Sequence, residues 1–178
     1  MKTFFRCRDT GFASAFAAGR PWESLTVEPE GVAEYPVELP GDPGLWLRPP
    51  GAPEDRVLLA VHGGGFVSGS ISTHRRMFGH LALAAGMATL VMEYGLVPEH
   101  AYPAQLDQVS GAYRTVAGQR VAVVGDSCGG TLALGLVLPA QEAGWPVPAA
   151  LLMLSHGSTY RFPAPATTPE PTRSSVAH

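Results

Sequence analysis

Near the middle of the chain, Gly125, Asp126, Ser127, Cys128 and Gly129 form a G-x-S-x-G pentapeptide. It sits between an apolar run at 121–124 and a stretch of helical composition, so the serine is expected at a strand-to-helix turn. A turn that tight leaves no room for a Cβ where strand and helix approach, which accounts for Gly125 and Gly129 and aims the serine oxygen outward. The helix N-terminus beneath it favours developing negative charge. These are the requirements of a serine nucleophile. Taken alone, the pentapeptide reads equally well as a glycine-rich connection between two elements.

A second group shifts that balance. His62, Gly63, Gly64, Gly65 and Phe66 follow another apolar run, 57–61. Three successive glycines give a backbone bare of side chains, whose N–H groups can converge on the oxyanion of a tetrahedral intermediate. Cys128 adjoins Ser127, but the turn presents the residue before it, so Cys128 reads as a small packed side chain rather than a thiol nucleophile. Asp126 reads as a residue that holds the turn.

The elements that must position these groups can be read from the apolar pattern. Residues 32–39 and 45–47 read as two short strands around the turn formers Pro40, Gly41, Asp42, Pro43 and Gly44, an opening hairpin. Run 57–61 reads as a strand buried on both faces, 87–94 as the next buried strand, and 121–125 and 149–155 as two further strands. Between them, 73–86 reads as a helix with Met77, Leu81 and Ala84 on its buried stripe and Gly86 as its stop. Residues 104–116 and 127–138 read as two more helices, the last ended by Pro139. Strands alternating with helices imply an α/β class: a mostly parallel, doubly wound sheet covered on both faces.

At 178 residues, with 46% hydrophobic and 15% charged side chains, the chain suits one globular core. A net charge of -3 and the lack of a basic stripe argue against nucleic acid as a partner. No apolar run is long enough to span a bilayer, and the residues before Ala18 are too interrupted for a secretory leader. Cys7 and Cys128 show neither disulfide nor metal spacing, which suggests a reducing, cytoplasmic setting without metal or cofactor.

In this order, and each at a strand end, the two glycine motifs resemble the hormone-sensitive-lipase-like carboxylesterases of the α/β-hydrolase fold. A third stretch adds to it: Glu93-Tyr94-Gly95-Leu96-Val97-Pro98-Glu99-His100, then Tyr102-Pro103-Ala104, resembles that family's D-Y-R-L-A-P-E-H-x-[FY]-P-A segment. Gly95 stands where the segment usually has Arg, so the loop is expected to lack an ion pair and to be less firmly held. The run Ser70-Ile71-Ser72-Thr73-His74-Arg75 is most similar to the acetyl-hydrolase and monoterpene ε-lactone hydrolase subgroup. The resemblance implies that Ser127 is the nucleophile and that the N–H groups of Gly64, Gly65 and Cys128 form the oxyanion hole. His62 is then structural, and the substrate is a small carboxylic ester or lactone.

The family places the catalytic acid and histidine on strands beyond the one at 149–155, positions with no counterpart here. The expectation is therefore a C-terminally truncated chain whose last strands are missing and whose activity is impaired. Residues 1–31 then read as a short cap remnant carrying Phe12, Phe16 and Trp22, 32–155 as the core, and 156–178 as a disordered Pro/Ser/Thr-rich tail with His156, Glu170 and His178. An uncovered last strand would invite a homodimer through its edge. The alternative reading is a non-catalytic remnant or small-ligand-binding module, a use that the same resemblance includes in the plant gibberellin receptor.

Overall fold

The computed structural model describes residues 26–155. Most of the expected cap remnant, with Phe12, Phe16 and Trp22, and the whole tail, with His156, Glu170 and His178, lie outside them.

Six strands form one sheet in the order β1-β2-β4-β3-β5-β6. β1 (Ala33–Leu39) and β2 (Asp42–Arg48) make the opening hairpin, and β2 pairs antiparallel with β4 (Ala88–Met92). β4, β3 (Arg56–Val61), β5 (Arg120–Asp126) and β6 (Ala150–Leu154) are parallel. The hairpin turn is tighter than expected: Leu39 pairs with Asp42, only Pro40 and Gly41 intervene, and Pro43 and Gly44 belong to β2. Gly41 has φ 93°, a conformation that only glycine adopts cheaply.

Alternation along the central strands sends side chains to two cores. Leu58 and Ala60 face α1 (Ile71–Ala85), packing with Phe78, Ala82 and Val91. Leu59 and Val61 face the opposite layer of α2 (Ala104–Val116), α3 (Cys128–Gly135) and α4 (Val137–Glu142), with Leu90, Met92, Val109, Tyr113 and Leu132. The sheet is mostly parallel and doubly wound, as the alternation implies. Among the described residues no helix is long and apolar enough to cross a membrane.

α1 begins in a reciprocal capping box between Ser70 and Thr73 and ends on Gly86 in the left-handed conformation. Its buried stripe is not the expected one. His74, Phe78 and Ala82 are buried beneath the helix, Gly79 is buried against Pro29, Met77 and Leu81 sit at the margin, and Ala84 is exposed. Reading only apolar residues misplaced the face, because a histidine occupies its first turn. Pro139 also does not end a helix. The helix after Ser127 stops at Gly135, and α4 restarts with Pro139 in its first turn, where a proline's missing N–H costs no hydrogen bond.

Leu59 is fully buried in the central strand. Leu59→Ala is expected to lower unfolding free energy by about 2–5 kcal/mol, seen as a reduced urea midpoint at an unchanged slope.

Candidate active site

β3 and β5 pair in parallel with Val61 opposite Gly125. The segments that follow, 62–66 and 126–128, therefore leave adjacent strands side by side at the carboxyl edge of the sheet, where open α/β sheets bind ligands. Contact between them is close. A Cβ on Gly129 would overlap the Val61 carbonyl, one on Gly125 would overlap the Gly129 carbonyl, and one on Gly63 would lie 2.5 Å from Asp126 Oδ2.

Ser127 adopts φ 50°, ψ -115°, a conformation that costs a non-glycine residue about 1–3 kcal/mol and persists only when its surroundings enforce it. Here the Ser127 N–H donates to Leu154 O of β6 at 2.8 Å, and Ser127 O accepts from Gly130 N at 3.0 Å. The side chain is half-buried, and among the described residues nothing hydrogen-bonds to its Oγ.

The glycine loop curls over Gly64 O, which accepts from Val67 N at 3.2 Å, Ser68 N at 3.1 Å and Ser68 Oγ at 2.9 Å. Gly64 has φ 120°, and a Cβ there would overlap the Ser68 carbonyl. The N–H groups of Gly64, Gly65 and Cys128 donate to no acceptor among the described residues. Three unused donors thus lie on the two segments that flank the serine.

Beneath this edge lies a polar cluster. His62 is fully buried, and since a carbonyl can only accept, its Nδ1 donates to Gly63 O at 2.8 Å. Its ring stacks on Tyr94 with centroids 4.1 Å apart, and Tyr94 Oη donates to His62 O at 2.9 Å. Nε2 of His62 lies 3.5 Å from Glu93 Oε1 but lacks the alignment of a hydrogen bond. Glu93 spends its other oxygen on the Ile71 N–H at 2.9 Å, at the positive end of α1. Tyr94 Oη also approaches the buried Cys128 Sγ at 3.6 Å. Burial first, then Cys128, Glu93 and Asp126, push the Tyr94 phenol well above its ordinary range.

His74 and Asp126 complete the cluster, with Nε2 and Oδ2 3.4 Å apart. In the sequence, His74 falls within the run that resembles the acetyl-hydrolase subgroup and carries no role of its own. The signal that could have found it is a histidine four residues before Phe78, on the helix face turned to the sheet. Other described histidines are engaged elsewhere: His80 Nε2 lies 3.0 Å from Val27 O, and the His100 ring packs on Gly95. None meets Ser127 Oγ. Among the described residues, no three His, Cys, Asp or Glu side chains gather to hold a metal ion.

Without an arginine at Gly95, the loop after β4 makes other contacts. The His100 ring occupies the space that a side chain at Gly95 would need. Gly95 N donates to Gln108 Oε1 at 2.9 Å, and Gln108 Nε2 donates to Asp42 Oδ1 at 2.9 Å. This loop, the glycine loop and α3 enclose a cavity of about 570 Å³ lined by Gly65, Phe66, Val67, Val97, Tyr102, Gln105, Leu106, Thr131, Leu132 and Gly135. It is mostly apolar and reaches Gly65, one of the expected oxyanion donors. A second concavity of about 510 Å³, between α2 and α4, shares no residue with either glycine motif.

The phenol shift fixes a pH dependence. An unfolded tyrosine loses its proton near pH 10, whereas folded Tyr94 keeps it, so stability is complete below about pH 10 and falls as pH rises further. Tyr94→Phe should lower stability at pH 7 by about 1 kcal/mol through loss of the bond to His62 O. It should also flatten the alkaline decline in denaturant titrations; part of the slope remains because burial raises the Tyr113 phenol as well.

Comparison with known proteins places this geometry among relatives. Residues 58–176 match the family model described as alpha/beta hydrolase fold. An acetyl-hydrolase of Streptomyces hygroscopicus is 37% identical over 115 residues, covering 62% of this chain and 38% of that protein. An esterase of Acinetobacter venetianus is 32% identical over 125 residues, 67% of this chain and 41% of its own length. Among solved structures, an esterase from the bacterial hormone-sensitive lipase family superposes with TM-score 0.70 at 36% identity, covering 76% of this chain and 48% of that one. The esterase EstE5, soaked with p-nitrophenyl butyrate, gives TM-score 0.72 at 32% identity, covering 80% and 50%. The chain thus spans about half the length of these solved relatives and less than half of the two curated ones.

Proposed function

The chain belongs to the hormone-sensitive-lipase-like branch of the alpha/beta-hydrolase fold family, and from that premise we propose that it cleaves small carboxylic esters or lactones through an acyl-enzyme on Ser127. The observation that carries this reading is the register of β3 against β5. It brings the segment that carries the strained Ser127 against the glycine loop, and among the described residues the N–H groups of Gly64, Gly65 and Cys128 meet no acceptor.

In the reaction, Ser127 Oγ attacks the ester carbonyl carbon and gives its proton to a general base. The carbonyl oxygen becomes an oxyanion and accepts from Gly64, Gly65 and Cys128 N–H, at the N-terminus of α3. Collapse expels the alcohol, which takes the proton, and water then releases the acid by the same route in reverse. Among residues 26–155 no histidine is bonded to Ser127 Oγ, so on this reading turnover is impaired unless a base reaches Ser127 from outside that range. His62, with its ring nitrogens turned to Gly63 O and Glu93, holds the glycine loop, while Gly63, Gly125, Asp126 and Gly129 permit the close approach of the two segments.

The apolar cavity next to Gly65 takes the apolar part of the substrate. A free, buried Cys128 thiol beside the nucleophile suits a reducing cytoplasmic setting. Among the described residues β6 pairs on one side only and Leu152 and Met153 are exposed, which favours a second copy of the chain adding along that edge. Light scattering should then report a dimer, and a clean monomer would contradict the pairing.

The absence of a histidine beside Ser127 among the described residues favours one other reading, a scaffold that binds a small ester without turning it over. A nitrophenyl acetate assay beside Ser127→Ala separates the two. Sustained release that the variant abolishes supports the hydrolase; a single burst means acylation without turnover; rates equal to the variant's leave only binding. Gly135→Leu should fill the cavity against Leu106 and cut kcat/KM for a nitrophenyl hexanoate about tenfold or more relative to the acetate.

A further inference from the structure

We propose that His74 is a positioning residue for the nucleophile elbow, acting through Asp126, so that the start of α1 sets the geometry of Ser127. The inference rests on the ester-hydrolase reading for its kinetic consequence but not for its structural one.

His74 lies on the buried face of α1 and is 3% exposed, so each of its ring nitrogens needs a partner. Nε2 faces Asp126 Oδ2 at 3.4 Å, and Nδ1 faces Thr73 Oγ1 at 2.8 Å. A carboxylate only accepts, so Nε2 carries a proton toward Asp126, while Thr73 Oγ1 lies between His74 Nδ1 at 2.8 Å and Ser70 O, to which it donates at 2.9 Å. Thr73 is also half of the capping box: its Oγ1 accepts from Ser70 N at 2.9 Å, and its N–H donates to Ser70 Oγ at 3.2 Å. A continuous chain of polar contacts therefore runs from the first turn of α1 through His74 to Asp126, the residue before the nucleophile.

Asp126 has little freedom at the far end of that chain. Its Oδ2 lies against Gly63, at the root of the glycine loop, with no room there for a Cβ. One carboxylate thus meets α1 and the root of the loop that carries two of the expected oxyanion donors, on the residue that precedes the strained Ser127. Packing alone would not select a histidine here, since Phe78 one turn later fills the same layer with an apolar ring. Releasing Asp126 would let the Ser127 backbone relax toward a commoner conformation and shift Oγ relative to Gly64 and Gly65 N–H.

The test uses the 178-residue chain and three variants. His74→Phe keeps the ring volume and removes both nitrogens, His74→Gln restores an N–H donor toward Asp126, and Asp126→Asn removes the charge. Amide hydrogen exchange is expected to quicken about tenfold or more at 125–129 and 62–65 in His74→Phe and Asp126→Asn, with the β1–β2 hairpin unchanged, and to return toward the parent in His74→Gln. The rate of the nitrophenyl acetate burst should fall about tenfold or more in the same two variants while KM moves less than twofold, because misplacing a reacting group raises the barrier without weakening binding. Parental exchange at 125–129 in His74→Phe, or a His74→Gln no better than His74→Phe in either readout, would overturn the proposal. A parent chain that shows no burst would count against the ester-hydrolase reading alone, and the exchange result would still decide the role of His74.

Discussion

The parallel pairing of β3 with β5, Val61 opposite Gly125, is the constraint on which the site depends. A slip of one residue would turn every side chain of one strand to the other face and exchange the two cores, so the register is pinned by Leu58 and Ala60 on one side and Leu59 and Val61 on the other. With the register pinned, the segments after both strands must emerge together. They approach closely enough that Gly63, Gly125 and Gly129 have no space for a side chain. The strained backbone of Ser127 is tolerable for the same reason: β6, on the far side of β5, accepts its N–H through Leu154 O, and α3 begins at the next residue.

The layer beneath the site contains more polar chemistry than a carboxyl edge needs for packing. His62, His74, Glu93, Tyr94 and Asp126 meet where the sheet, the glycine loop and α1 converge. Buried polar groups are costly unless they satisfy one another, and these largely do, through Gly63 O, His62 O, Ile71 N and Thr73 Oγ1. Such a network resists small displacements better than apolar packing does, because each bond has a direction as well as a distance. That property suits a site whose donors must stand where charge develops during the reaction.

Much of this was legible in the sequence. The order of elements followed from apolar runs and their breakers. The two glycine motifs stood out because each sits at the end of such a run, so that composition and context agreed. Ser127 stands out because the demands of a tight turn are local, whereas Gly64, Gly65 and Cys128 are named as oxyanion donors by what the family resemblance implies.

What the sequence did not disclose shares one cause. The buried face of α1 includes a polar residue, His74, that the apolar pattern passes over, and one of its partners, Asp126, lies 52 residues away. Pro139 looked like a helix end because a proline's own bonding is visible in sequence, whereas the break at Gly135 that places it in a new first turn is not. Gly95 suggested a loosened loop, but His100 fills its place and Gln108 bonds its N–H. Local pattern determined the elements and the residues at their ends, since turn sterics and periodicity act between chain neighbours. Only the tertiary structure decided which polar side chains meet, because those contacts join residues that the sheet, and not the chain, makes adjacent.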